Sequence, residues 1–191
     1  VTFKRKLCQH CKGKLAEGEY IHGGCIEGFA AARQLKADRK VAKQEKMRQK
    51  ADRAEAARRK EAAKSPTKWR EECQAIVNKI ARLRDIDDGC ISCDKPANWQ
   101  GQWHGSHFRS VGAASAVRFN LWNIHKACSV CNHHNSGNIA GYTPRLIAKI
   151  GQERVDWLYA QTKVTRYDVD YLKKYKRVMG KKLRRMEKRL Q

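Results

Sequence analysis

The chain has 191 residues, room for one ordinary hydrophobic core or for two small modules joined by a linker. Its 42 Lys and Arg against 19 Asp and Glu give a formal charge of +23, more than solubility requires, so a polyanion is the expected partner. No run approaches the roughly 20 apolar residues of a membrane-spanning helix and no export signal opens the chain, which leaves nucleic acid as the expected partner and a basic ribosomal or packaging role as the bland alternative.

Six of the eight cysteines fall as Cys8-x-x-Cys11, Cys90-x-x-Cys93 and Cys128-x-x-Cys131, a spacing that reads as metal binding rather than disulfides. His22-x-x-Cys25 makes a further pair. Residues 1–28 carry the first of these pairs and several glycines but few large aliphatic residues, so they need a staple to fold. A Zn²⁺ held by Cys8, Cys11, His22 and Cys25 supplies one, with its tetrahedron closed and its role structural.

Residues 29–65 are dominated by Ala, Lys, Arg, Glu, Gln and Asp, which predicts a long basic helix or linker from about Ala30 to Lys64. Thirteen Lys and Arg stand against five acids between Phe29 and Pro66, and Leu35, Val41 and Met47 are too sparse for a zipper seam. Such an arm can lie along a phosphate backbone, bridge two protomers or serve only as a solvated linker. Ser65-Pro66 supplies an N-cap and a first-turn proline for the next helix. Its buried stripe is Trp69, Cys73, Ile76, Val77, Ile80 and Leu83, which makes Cys73 a core residue rather than a nucleophile.

The 34 residues between Cys93 and Cys128 leave space for a hairpin clasped between two knuckles of a second structural Zn²⁺ site, Cys90, Cys93, Cys128 and Cys131. Trp99 to His104 reads as one strand, with His107 at its end, and Leu121 to Ala127 as the next, bearing Asn123. Asn132 opens an expected helix after Cys131. The unit is therefore ββα with His, Asn and Asn on it, and His107 is the candidate base for phosphodiester hydrolysis. His104, His125, His133 and His134 crowd the same stretch. Further helices are predicted to start at Thr143-Pro144 and at Thr165, the last running from about 166 to 190 with Leu172, Tyr175, Met179, Leu183, Met186 and Leu190 on one side. That stripe suits packing on the core or on a second protomer.

Three stretches carry a family resemblance. They are Trp103-His104-Gly105-Ser106-His107-Phe108-Arg109, Arg118-Phe119-Asn120, and Asn123-Ile124-His125-Lys126-Ala127-Cys128-Ser129-Val130-Cys131-Asn132 with Ser136-Gly137-Asn138 beyond. The chain resembles the NinG, or Rap, recombination endonucleases of lambdoid phages, within the HNH (ββα-metal) nucleases. The resemblance implies an α+β fold: a zinc-stabilised HNH domain over residues 66–165 with flanking helices, an N-terminal zinc knuckle, a long basic helix, and a basic C-terminal helix over 166–191. It implies His107 as general base, Asn123 as the residue that steadies its loop, and Asn132 as a ligand of a catalytic Mg²⁺ or Mn²⁺. His104 is the leading second ligand, with His125 and His134 as alternatives, because Ser106 stands where many HNH enzymes place a metal-binding Asp or His. Asn135 likewise stands where a lysine is common.

Arg109, Arg118 and Lys126 are the candidate phosphate contacts. The implied substrates are branched DNA, D-loops and Holliday-type junctions, cut by a homodimer in the cytoplasm of a phage-infected bacterium, with no membrane partner. Two other readings compete: a non-catalytic zinc-containing DNA-binding or annealing factor with an idle HNH scaffold, and a sequence-preferring nicking HNH nuclease.

Overall fold

A computed structural model describes residues 7–190. The first six residues of the expected knuckle and the final Gln191 of the expected C-terminal helix lie outside the described residues. The chain divides into two compact units, one ending at Ala63 and the other beginning at Lys64.

In the first unit an antiparallel bridge joins Leu7 to Lys14, and the Cys8 amide donates to the Gly13 carbonyl at 2.8 Å. The turn between them places Lys12 at φ +62°. A single 3-10 turn, Gly23–Cys25, then feeds helix α1, Ile26–Ala62, with Cys25 as its N-cap. The helix therefore starts about four residues before the predicted Ala30, inside the 1–28 knuckle span, because the second ligand pair itself sets its first turn. Its 37 residues span about 55 Å and none is buried. Exposed i,i+4 pairs, Gln34 with Asp38 and Glu55 with Arg59, support it only weakly, so the Ala-rich composition carries the helix.

In the second unit helix α2, Pro66–Arg84, begins as expected: the Ser65 hydroxyl accepts from the Lys68 amide at 3.2 Å, with Pro66 at the first helical position. Strands β1, Trp103–His107, and β2, Ile124–Cys128, pair antiparallel in a register running from Trp103 opposite Cys128 to His107 opposite Ile124. Both lie further along the chain than predicted: residues 99–102 bend outside the sheet, and Trp99 packs edge-on against Trp103 at 5.3 Å. Helix α3, Ile139–Ile150, starts before the predicted Thr143-Pro144, which sits inside it. Asn138, in left-handed backbone at φ +47°, reverses the chain into that helix. Gly151, at φ +86°, separates α3 from α4, Gln152–Ala160. Helix α5, Val169–Arg189, is capped by the Asp168 carboxylate, which accepts from the Tyr171 amide, so the predicted start at Thr165 falls in the extended segment before it.

Two apolar clusters flank the hairpin. Trp69, Cys73 and Val77 of α2 pack with Phe119, Ile124 and Leu172, while Phe108 and Ala127 pack with Tyr142, Leu146, Val155 and Leu158 of α3 and α4. The α5 stripe faces α2 through Leu172, Tyr175 and Met179, with a Lys79–Glu187 ion pair at 2.6 Å between the two helices. The C-terminal helix is thus part of the same core as the hairpin, not a separate segment. Asp85, just past α2, is buried and clamps three elements: its carboxylate accepts from Arg84, from the Lys126 amide of β2 and from the Lys149 ammonium of α3. Burial alone would raise its pKa, but the hydrogen bonds from Arg84 and Lys149 outweigh that and hold the carboxyl down to about 2.

Candidate active site

The four N-terminal ligands expected from spacing come together: the ligand atoms of Cys8, Cys11, His22 and Cys25 all lie within 4.8 Å of one another. His22 Nε2 sits 3.0 Å from the Lys14 carbonyl, to which it donates, leaving Nδ1 facing the Cys11 Sγ at 3.3 Å. Backbone amides, that of His22 foremost, lower the Cys8 thiol to about 6, whereas burial and the neighbouring thiols raise Cys25 to about 11. Three sulfurs and one imidazole leave no open position, so the set fits a structural zinc.

Cys90, Cys93, Cys128 and Cys131 form the second cluster, again within 4.8 Å. Cys90 and Cys93 lie in the turn after α2, Cys128 ends β2, and Cys131 sits on a π-helical turn, Val130–His134, in place of the predicted helix. The amides of Ser92 and Cys128 point at Cys90 Sγ at 3.4 and 3.3 Å, and that of Cys131 points at Cys128 Sγ at 3.4 Å. Such N–H donors favour thiolate, the form a zinc ion requires. The hairpin is clasped between these two knuckles, as its spacing suggested.

The π turn that carries Cys131 also aims Asn132 and His133 at β1. Asn132 Nδ2 lies 3.3 Å from His104 Nδ1, and His133 Nε2 lies 2.9 Å from the same nitrogen. The His104 and His133 rings meet edge-on at 4.6 Å, beside a concavity of about 360 Å³ whose walls include Asn78 and Arg82 of α2. Burial and the adjacent His133 and Arg82 lower the His104 pKa, so its ring is neutral at pH 7 and offers a lone pair. His133, itself exposed, thereby reaches the site from the surface, and His134 is exposed as well.

His107 lies apart from that trio, at the far end of β1. Its Nε2 donates to the Arg118 carbonyl at 3.0 Å and is flanked by the Gln74 amide at 3.2 Å. Burial lowers its pKa, with the Arg118 carbonyl opposing and the Arg118 charge assisting. The fixed Nε2–H leaves Nδ1 as the basic nitrogen. Asn123 is fully buried; its Oδ1 accepts from the Arg109 amide at 2.7 Å, and its Nδ2 donates to the carbonyls of Arg109 and Val117 at 3.0 and 3.2 Å. It closes the loop between the strands at both ends. His125 is buried with Nδ1 3.1 Å from the Tyr142 hydroxyl, which itself donates to the Ser106 carbonyl. Its Nε2 has no hydrogen-bond partner, and burial depresses its pKa to about 3.

The three candidate phosphate contacts diverge. Arg118 is half-buried, with Nε on Gln74 Oε1 at 3.1 Å, and Arg109 lies 5.4 Å over the Tyr159 ring. Lys126, expected to meet phosphate, is buried instead: its ammonium donates to the Ile86 carbonyl at 2.8 Å and lies 4.3 Å over the Trp103 ring. Sequence reasoning also missed Gln74, which links His107 to Arg118 from α2; no motif marks it.

The family model described as Bacteriophage Lambda NinG protein matches residues 1–189. Protein ninG of Escherichia phage lambda is 40% identical over 126 residues, covering 66% of this chain and 61% of that protein. Protein ninG of Salmonella phage P22 is 39% identical over 126 residues, again 66% and 61% of the two chains. The chain thus spans about three-fifths of the length of the curated relatives it matches. No solved structure matches it.

Proposed function

Because the chain belongs to the Bacteriophage Lambda NinG protein family, we propose that it is a structure-selective HNH DNA endonuclease that cuts branched recombination intermediates by metal-dependent hydrolysis. The observation that carries this reading is the meeting of His104, Asn132 and His133 on a hairpin clasped by a four-cysteine knuckle. The two imidazoles, with the Asn132 amide turned so that Oδ1 in place of Nδ2 faces them, would suit one divalent ion with its remaining positions open to water and phosphate. Two imidazoles make Mn²⁺ a better match than Mg²⁺. Bound there, the ion would act as a Lewis acid on a phosphoryl oxygen. His107 supplies the base: its Nε2–H is fixed by Arg118, its Nδ1 is free to take a proton from water, and burial keeps it neutral. Asn123 holds the loop through which Arg118 is reached. A formal charge of +23 supplies the affinity for phosphates, which positions without reading sequence and so suits recognition of a branch by shape.

A second assignment within the same reaction is favoured by the same geometry. His104 and His107 are three residues apart on β1, about 10 Å along the strand, and only His104 touches Asn132. In that assignment His133 is the base and His107 is a positioning residue that orders Arg118.

Cleavage of end-labelled four-way junction, D-loop and linear duplex DNA, with Mg²⁺, Mn²⁺ or EDTA, tests the proposal. Metal-dependent scission of the branched substrates, lost in His107→Ala with binding retained, is the expected result. Scission lost in His133→Ala but retained in His107→Ala would move the base to His133. Tight binding without scission under any metal would leave a DNA-binding or annealing factor, and scission that follows sequence instead of branching would leave a nicking nuclease. A symmetric junction calls for two active sites, hence a dimer; light scattering that gave a monomer on junction DNA would remove that part.

A further inference from the structure

On the other side of Arg118 from His107, a cavity of about 590 Å³ opens between the start of α2, the loop between the strands and the segment leading into α5. Three guanidiniums line it, Arg70, Arg118 and Arg166, each from a different one of those elements. Among the described residues none of the three has a carboxylate partner within ion-pair distance, although ion pairs are made elsewhere on α2 and α5. Arg70 uses one nitrogen on the Thr67 hydroxyl at 2.9 Å and Arg118 uses Nε on Gln74, so the remaining N–H groups are available. Burial and the nearby Arg70 charge lower the Arg118 pKa, with Tyr167 opposing. The rest of the wall is mixed: Pro66, Val111, Val164 and the Tyr167 ring are its apolar parts, with Ser115 and Thr165 between them.

We propose that this cavity is a nucleotide subsite, in which Arg70, Arg118 and Arg166 hold one phosphate of a DNA strand while the attached sugar and base lie against Pro66, Val111 and Val164. Three uncompensated guanidiniums at one concavity fit a phosphate by charge and by their forked donors. The volume is within the usual range of about 300–1,000 Å³ for small-ligand sites and is generous for a bare phosphate. A base inside such a recess has left its own stack, so the natural occupant is an unpaired nucleotide at a branch or strand end. Arg118 joins the subsite to the reaction: its side chain lines the cavity while its carbonyl fixes the His107 imidazole. This inference rests on the nuclease reading for its substrate, though the cavity's chemistry can be tested without cleavage.

The test is protection of arginines from phenylglyoxal in the full, zinc-loaded chain, read by peptide mass spectrometry. The ligands are a short single-stranded oligonucleotide, its blunt duplex, deoxyadenosine monophosphate, and inorganic phosphate at equal concentration. Arg70 and Arg166 should be protected at least several-fold better by the single strand and the mononucleotide than by inorganic phosphate. In anisotropy titrations, Arg70→Gln with Arg166→Gln should reduce the magnitude of the slope of log K against log salt for single strands by about 0.7, the equivalent of one phosphate. Equal protection by inorganic phosphate, or better protection by the duplex, would overturn the nucleotide assignment. Absence of protection while the oligonucleotide binds and junctions are cut would overturn the subsite and leave the nuclease reading standing. Protection without any metal-dependent scission would keep the subsite and remove the nuclease reading.

Discussion

Asn123 and His125 are neighbours on the hairpin with opposite polar arrangements, and each has a measurable consequence. Asn123 satisfies three backbone groups of the loop between the strands. Asn123→Ala leaves an amide and two carbonyls without their buried partner, and should cost about 2–4 kcal/mol in a urea titration; a loss near zero would show that the loop is held otherwise. His125 is buried neutral, its pKa lowered from 6.5 to about 3. The unfolded chain therefore binds the extra proton between those values, so this contribution is fully present above pH 6.5 and is lost as pH falls towards 3. His125→Gln keeps an amide able to donate to Tyr142 but does not titrate. The stability gap between wild type and variant should narrow from pH 7.5 to pH 5.5, and an unchanged gap would show that some other group is responsible. The cysteine clusters were legible because a Cys-x-x-Cys pair is local in sequence. The meeting of His104 with His133 was not: it spans 29 residues and depends on strand register and on a π turn. Lys126 was misread for a related reason, since its charge is visible in the sequence while the Ile86 carbonyl that captures it is not.

At the level of elements, hydrophobic stripes and caps were reliable where one residue type sets the geometry. Ser65-Pro66 gave α2 its start, and the Trp69, Cys73 and Val77 stripe gave its buried face. Starts set by tertiary context were displaced. Asn138 turns the chain into α3 in left-handed backbone, and its side-chain amide donates to the Ser92 carbonyl across 46 residues, so Thr143-Pro144 became interior helix. Asp168 outcompeted Thr165 as a cap because its carboxylate reaches the Tyr171 amide. The strands shifted forward because residues 99–102 bend before β1 and residues 121 and 122 turn before β2. How β1 meets α2 is set by one small residue: a Cβ on Gly105 would lie 2.9 Å from both Cα and Cβ of Asn78. Helix backbone cannot swing aside as a side-chain tip can. Gly105→Ala should therefore push α2 from the hairpin and destabilise by about 1–3 kcal/mol, with zinc content unchanged because the cysteines lie elsewhere. Loss of zinc together with stability would mean that the hairpin and the knuckle fold as one step.

Across the whole molecule, each compact unit has its own cluster of residues that could hold a metal, but among the described residues only the second has a hydrophobic core. Among the described residues, the first unit has no buried residue along α1 and few apolar side chains at its knuckle, so order around Cys8, Cys11, His22 and Cys25 should depend on a bound metal, whereas α1 depends on helix propensity. The second unit buries Trp69, Tyr142, Leu146, Leu158 and Leu172 independently of any ion. A chain beginning at Lys64 should therefore fold and hold one zinc where the full chain holds two, as read by metal analysis and circular dichroism. It should also keep the geometry around His104, His107 and Asn132, and so cut junctions if the nuclease reading is right. What it gives up is charge: between Phe29 and Lys64 there are 12 Lys and Arg against 5 acids. Every phosphate that the arm no longer neutralises lowers the magnitude of the duplex salt slope by about 0.9. A fragment that cuts with unchanged turnover but needs more enzyme, and whose binding depends less steeply on salt, would assign α1 to gripping the phosphate backbone. Unchanged affinity and slope would instead make it a spacer, since a surplus of positive charge that touches no phosphate releases no counterions.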